Sequence, residues 1–146
     1  RGGTPLYDSA GKVIDSMVEI NPDRAVFVCM TDGYENSSRE YRLSAIQERL
    51  DWLKRREWGV VFLGAEFRDI DTVGRSLGLA STQTVNMTQD TYEIGFKGLV
   101  GKTTGYFNSS VASAGAMNFS DKEKNELDPG DVKRGSVTIS ETQKSE

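Results

Sequence analysis

The chain has 146 residues, 18 basic and 22 acidic, for a formal charge of −4. That length suits one domain, and 36% apolar residues with 9% aromatics suffice for a core. No apolar run approaches the roughly 18–20 residues that span a bilayer, which excludes an integral membrane protein built on helices. Residues 1–120 carry 13 basic against 15 acidic side chains and residues 121–146 carry 5 against 7, so nucleic-acid binding is not expected.

Arg1 stands directly before a Gly-Gly-Thr-Pro turn, and the opening residues do not have the pattern of a signal peptide. The chain therefore reads as a cytoplasmic piece that begins at a loop inside a larger domain. Thr4-Pro5 has the form of a helix start, with Thr4 as N-cap and Pro5 at the first helical position. Leu6, Ala10, Val13, Ile14, Met17 and Val18 recur at three- and four-residue spacing and mark one buried helix face. Asn21-Pro22-Asp23 stops that helix. Residues 25–30 are short and continuously apolar, the pattern of a strand buried on both faces.

A polar loop follows, then a helix over residues 41–57 with Leu43, Ile46, Leu50 and Leu53 on one side. Residues 58–64 form a second buried-strand pattern. Residues 70–77 predict a short helix that ends at Gly78. A third strand is expected over 82–87 and a last helix over 92–107, the latter weakened by four glycines. Helices alternating with strands imply right-handed crossovers, hence an α/β, doubly wound, mainly parallel sheet with helices on both faces. Residues 108–146 hold ten apolar residues in 39 positions and read as a polar, disordered tail. Within it, Val137-Thr138-Ile139 is a weak pairing candidate, with disorder the preferred reading.

Cys29 is the one cysteine, and histidine is absent. That removes an intramolecular disulfide, Ser-His-Asp and Cys-His catalysis, and histidine-ligated metals. A bound metal must be held by oxygens. In a parallel α/β sheet, ligands bind beyond the carboxyl ends of the strands. Asp32 falls there, just after the apolar run ending at Met30, and Gly33 is the residue that permits its turn. Thr4, before the helix that leads into this strand, falls at the same end. One carboxylate with one hydroxyl suits Mg²⁺, which keeps several waters and takes few protein oxygens. Gly101-Lys102-Thr103 lacks the glycine five positions earlier that a phosphate loop needs, since position 96 is Phe. Lys54-Arg55-Arg56 reads as a solvated helix face, and Asp69 and Asp71 as helix-start residues.

Arg1-Gly2-Gly3-Thr4-Pro5-Leu6-Tyr7-Asp8 and Thr31-Asp32-Gly33 resemble the second and third metal motifs of von Willebrand factor type A domains. Glu35-Asn36-Ser37-Ser38 after them resembles intracellular bacterial and phage members. The resemblance spans about residues 1–107 and implies a Rossmann-like fold carrying a metal-ion-dependent adhesion site. It implies Thr4 and Asp32 as Mg²⁺ ligands, with Gly3 and Gly33 supporting their loops. A protein partner presenting a carboxylate completes the coordination, and Tyr7, Tyr34 and Glu35 rim the contact. The family's Asp-x-Ser-x-Ser loop occurs nowhere in the sequence, so the chain reads as the C-terminal portion of such a domain. The function expected is a non-enzymatic, Mg²⁺-dependent protein–protein interaction module without nucleic-acid or membrane partners. The alternatives are a metal-free scaffold or assembly domain and, less favoured, a metal-dependent α/β hydrolase using Asp32.

Overall fold

The computed structural model describes residues 5–35 and 37–129. Helix α1 (Leu6–Ile20) buries Leu6, Ala10 and Ile14, as its spacing requires. It ends where Asn21 takes a left-handed conformation (φ 49°) and donates its N–H to Met17 O at 2.8 Å. Strand β1 (Val26–Thr31), helix α2 (Leu43–Arg55), strand β2 (Gly59–Ala65), helix α3 (Ile70–Ser76), strand β3 (Thr84–Met87) and helix α4 (Tyr92–Asn108) follow in order. Pro5 flanks α1 instead of occupying its first helical position.

The sheet has the order β1-β2-β3 and is parallel throughout. Val26 pairs with Gly59 and Thr31 with Gly64, while Phe62 pairs with Thr84 and Ala65 with Met87. Side chains alternate between the two faces of β2, so one strand feeds two cores. Val60 and Phe62 join Leu6, Ile14, Phe27, Ile46, Leu53, Trp58, Ile70 and Leu77 beneath α1, α2 and α3. Val61 and Leu63 join Val85, Met87, Tyr106, Met117, Phe119 and Leu127 on the opposite face. The result is a Rossmann-like α/β architecture with helices on both faces of a parallel sheet.

Two sequence expectations are corrected. Strand β1 is not buried on both faces: Val28 is 40% and Met30 46% exposed. A continuous apolar run is buried only where something covers it, and β1 is an edge strand whose second face is covered only near Val26. Nor are residues 109–129 a solvated tail. They form a 3-10 turn (Ala114–Met117) and helix α5 (Asp121–Leu127), and Met117, Phe119 and Leu127 are buried. Phe119 N–H donates to Thr82 O at 2.7 Å, which ties the segment beside β3. The Val137-Thr138-Ile139 run and the rest of the expected tail lie outside the described residues. Among the described residues no helix is long and apolar enough to cross a membrane.

Candidate functional site

The carboxyl ends of the three strands open onto loops built from local hydrogen-bond logic. Thr31, buried at the end of β1, makes the first turn: its Oγ1 donates to Gly33 O at 2.9 Å and accepts from Gly33 N–H at 3.2 Å. A short hydroxyl side chain of this kind imitates a backbone turn. Gly33 itself is not conformationally required, because a Cβ there meets nothing within 4 Å and its φ is not left-handed. Thr31, not Gly33, therefore shapes the turn.

Glu35 sits at the centre of the next segment. Its Oε1 accepts from Tyr7 N–H at 2.8 Å and from Ser38 Oγ at 2.6 Å. Its Oε2 accepts from Ser37 N–H at 2.8 Å and Ser38 N–H at 2.7 Å. Burial raises the carboxyl pKa, but these bonds to the charged form outweigh it and hold the group below the usual range. Ser38 Oγ in turn accepts from Asp8 N–H at 2.9 Å. Asp8 returns the interaction by accepting from the N–H groups of Arg39, Glu40 and Tyr41, each at 2.9 Å. The bond from Arg39, then those from Tyr41 and Glu40, lower its pKa against the opposing effect of desolvation. The first turn of α1 and the loop after Asp32 are thus capped reciprocally across the sheet end.

Tyr34 is half-exposed, donates its hydroxyl to Asp69, and meets Phe67 edge-to-face at 5.0 Å. The Asp69 bond, with desolvation and the charge of Asp69, raises the phenol pKa. Tyr34 therefore joins the β1 loop to the β2 loop. Tyr7 is half-buried against the core beneath α1, and desolvation together with Glu35 raises its phenol pKa. At β2, Gly64 is needed for room: a Cβ there falls 2.6 Å from Phe67 O and 2.7 Å from Asn86 Oδ1. Asn86 accepts from Phe67 N–H at 2.6 Å and donates to Asp128 at 3.0 Å, and Arg68 closes the set on Asp128 at 3.1 Å.

Asp32 stands apart from this network. It is exposed, and among the described residues no hydrogen bond or ion pair engages its carboxylate. Glu35 and Asp69 in the loops, and Asp8 in the first turn of α1, are all engaged. Thr4 and Gly3 lie outside the described residues, although Tyr7, three positions after Thr4, is pinned to Glu35, three positions after Asp32. Among the described residues no group of three or more His, Cys, Asp or Glu side chains is arranged to hold a metal ion. A hard cation here has one carboxylate available from those residues, too few to replace its hydration shell. Cys29, on the half-buried face of β1, has its thiol pushed up to about 11 by burial, which makes it unreactive.

Sequence reasoning missed Thr31, Asp8 and Ser38, and it gave Glu35 a partner-facing role where the carboxylate is turned inward. The signal for Asp8 and Ser38 was weak, since their bonds join residues 30 or more positions apart. No family model matches the chain, and no curated protein or solved structure matches it.

Proposed function

We propose that the chain is a Mg²⁺-dependent protein–protein interaction module of the von Willebrand factor type A kind. Asp32 and the Thr4 hydroxyl would hold the ion, and an acidic residue of the partner protein would complete its coordination. The observation that carries this reading is the exposed Asp32 carboxylate at the carboxyl end of β1, which no hydrogen bond or ion pair engages among the described residues, beside the engaged Glu35 and Asp69. Its exposure beyond the carboxyl end of a parallel strand leaves the Asp32 oxygens accessible to a cation. Bound there, Mg²⁺ supplies a positive charge that accepts a partner oxygen. The small donor set means that the ion keeps most of its waters until the partner arrives, so binding in isolation is weak.

A metal-free assembly scaffold is the second reading, favoured by the absence of a three-ligand acidic group among the described residues. Isothermal titration with Mg²⁺, run on the chain and on Asp32→Ala, separates the two. Weak binding that disappears in the variant, with a Mg²⁺-dependent rise in melting temperature of the parent alone, supports the metal reading. Equal heats from both proteins remove Asp32 from any site and leave the scaffold.

A further inference from the structure

At the amino ends of β2 and β3, away from the sheet end that carries Asp32, lies a half-open cavity of about 620 Å³. Sites for small molecules commonly measure about 300–1,000 Å³. The apolar wall belongs to the first core: Leu50 of α2, Trp58 and Val60 where β2 begins, and Leu77 and Leu79 after α3. The 3-10 turns Ser81–Gln83 and Ala114–Met117, with Asn118, supply polar lining.

The cavity holds hydrogen-bonding groups that the protein itself does not use. Trp58 is 1% exposed, and no described residue accepts a hydrogen bond from its indole N–H. A buried tryptophan ordinarily finds an acceptor for that group. Among the described residues no buried side-chain nitrogen or oxygen lacks a partner. The indole N–H therefore lies on the sliver of surface that Trp58 does show, and Trp58 lines the cavity. The Asn118 carboxamide bonds to no described residue through either its oxygen or its nitrogen. Gln83 engages its Oε1 with Ala80 N–H at 2.9 Å and keeps its Nε2. The two acids of the rim, by contrast, are in use: Asp51 pairs with Arg55, and Glu57 accepts from Ala114 N–H at 3.0 Å.

Charge at the rim narrows the ligand. Asp51 and Glu57 line it against Lys54 alone. Helices α2 and α3 both end there, and each carboxyl end adds partial negative charge. Lys54, in the last turn of α2, answers that helix's own dipole. A phosphate or other anion is disfavoured at such a rim, and an uncharged ring is favoured. A carboxamide pairs in plane with an amino group beside a ring nitrogen, as Asn does with adenine. An indole N–H only donates, so it asks for a ring acceptor. We propose that this cavity binds an uncharged adenine-type base or its nucleoside. Asn118 takes the edge formed by the amino group and its neighbouring ring nitrogen, and Trp58 donates to a second ring nitrogen. Leu50, Leu77 and Leu79 pack on the ring, and Gln83 Nε2 is left for a ribose hydroxyl. The site involves neither Asp32 nor a metal.

The indole N–H is its own reporter. In ¹⁵N–¹H spectra of the labelled full chain with EDTA present, adenosine moves one indole signal downfield and saturably. The same signal moves in Trp52→Phe, which leaves Trp58 as the one tryptophan. Asn118→Leu, close in size but without the carboxamide, weakens the affinity about tenfold or more. Inosine presents an acceptor where adenosine has its amino group, and it binds about tenfold more weakly or worse. AMP binds no more tightly than adenosine. A Trp58 signal that stays in place at millimolar adenosine overturns the proposal. So does an affinity unchanged in Asn118→Leu, or inosine bound as tightly as adenosine. Movement of the signal by AMP or inorganic phosphate at lower concentration than by adenosine also overturns it, and makes the cavity an anion site. Because metal is absent throughout, failure here leaves the Mg²⁺ reading untouched.

Discussion

Glu35 caps the first turn of α1 from 28 residues away, its Oε1 accepting Tyr7 N–H at 2.8 Å. The first N–H groups of a helix have no intrahelical partner and need one. Here a carboxylate supplies it, with the added attraction of a negative charge for a helix N-terminus. Replacing Glu35 with Ala frees Tyr7, Ser37 and Ser38 N–H together. The expected loss is about 1–2 kcal/mol, the range for an N-cap removed, read as a lower urea midpoint with an unchanged m-value. Asp32→Ala, on an exposed carboxylate that has no partner among the described residues, is expected to stay within about 0.5 kcal/mol of the parent. A similar loss in both variants contradicts the division between structural and free acids.

Acid should undo the same frame. Glu35 and Asp8 both have folded-state pKa values held below their ordinary ones, Glu35 by bonds that overcome burial and Asp8 chiefly by the Arg39 N–H. A depressed carboxyl pKa gives stability that is complete above the unfolded value, about 4.3 for Glu and 3.9 for Asp. That stability is lost as pH falls through the folded values. The combined variant Asp8→Asn, Glu35→Gln should therefore be less stable than the parent at pH 7. The gap should narrow progressively below about pH 4.5. Denaturant melts at a series of pH values decide it; a gap that stays constant to pH 3 means that the two charges contribute nothing.

Tight backbone approach makes a third test. Gly64→Ala sets a methyl group 2.6 Å from the Phe67 carbonyl oxygen, a backbone atom that has little freedom to withdraw. Overpacking of this kind costs about 1–3 kcal/mol. Gly33→Ala, where the added Cβ meets nothing within 4 Å, should be near neutral. Thermal melts of the pair compare a glycine kept for space with one that is dispensable.

The elements that were legible in the sequence are those whose signal is local. Leu6, Ala10 and Ile14 announce α1, and the unbroken apolar run at 59–63 announces a buried strand. The alternation of helices and strands then gives a parallel sheet. Asp32 could be placed at a strand end because Thr31-Asp32-Gly33 follows such a run. What escaped depends on partners distant in the chain. The exposure of Val28 and Met30 is decided by what does or does not cover β1, and the inward turn of Glu35 is decided by Tyr7 and Ser38. Residues 109–129 escaped for another reason. Their average composition is polar, yet Met117, Phe119 and Leu127 are large and all buried. A local signal was present there: Ser120 and Glu123 form a reciprocal capping box, with Glu123 N–H to Ser120 Oγ at 3.2 Å and Ser120 N–H to Glu123 Oε1 at 2.8 Å.

That segment supplies the last prediction. Phe119 is 2% exposed, packs with Val61, Leu63 and Tyr106 in the second core, and has Lys102 Nζ 4.7 Å from its ring centroid. Cutting it to alanine removes a buried aromatic and leaves a cavity, at a cost of about 3–5 kcal/mol. For a domain of ordinary stability, about 5–15 kcal/mol, that is a large fraction of the total. Val111→Ala, on an exposed side chain of the same segment, should cost less than about 0.5 kcal/mol. If residues 109–129 were a loose appendage, both substitutions would be equally silent in a urea titration followed by tryptophan fluorescence. A large loss confined to Phe119→Ala makes the segment part of the cooperative unit, because the two tryptophans, Trp52 on α2 and the buried Trp58 just before β2, report unfolding on the other face of the sheet.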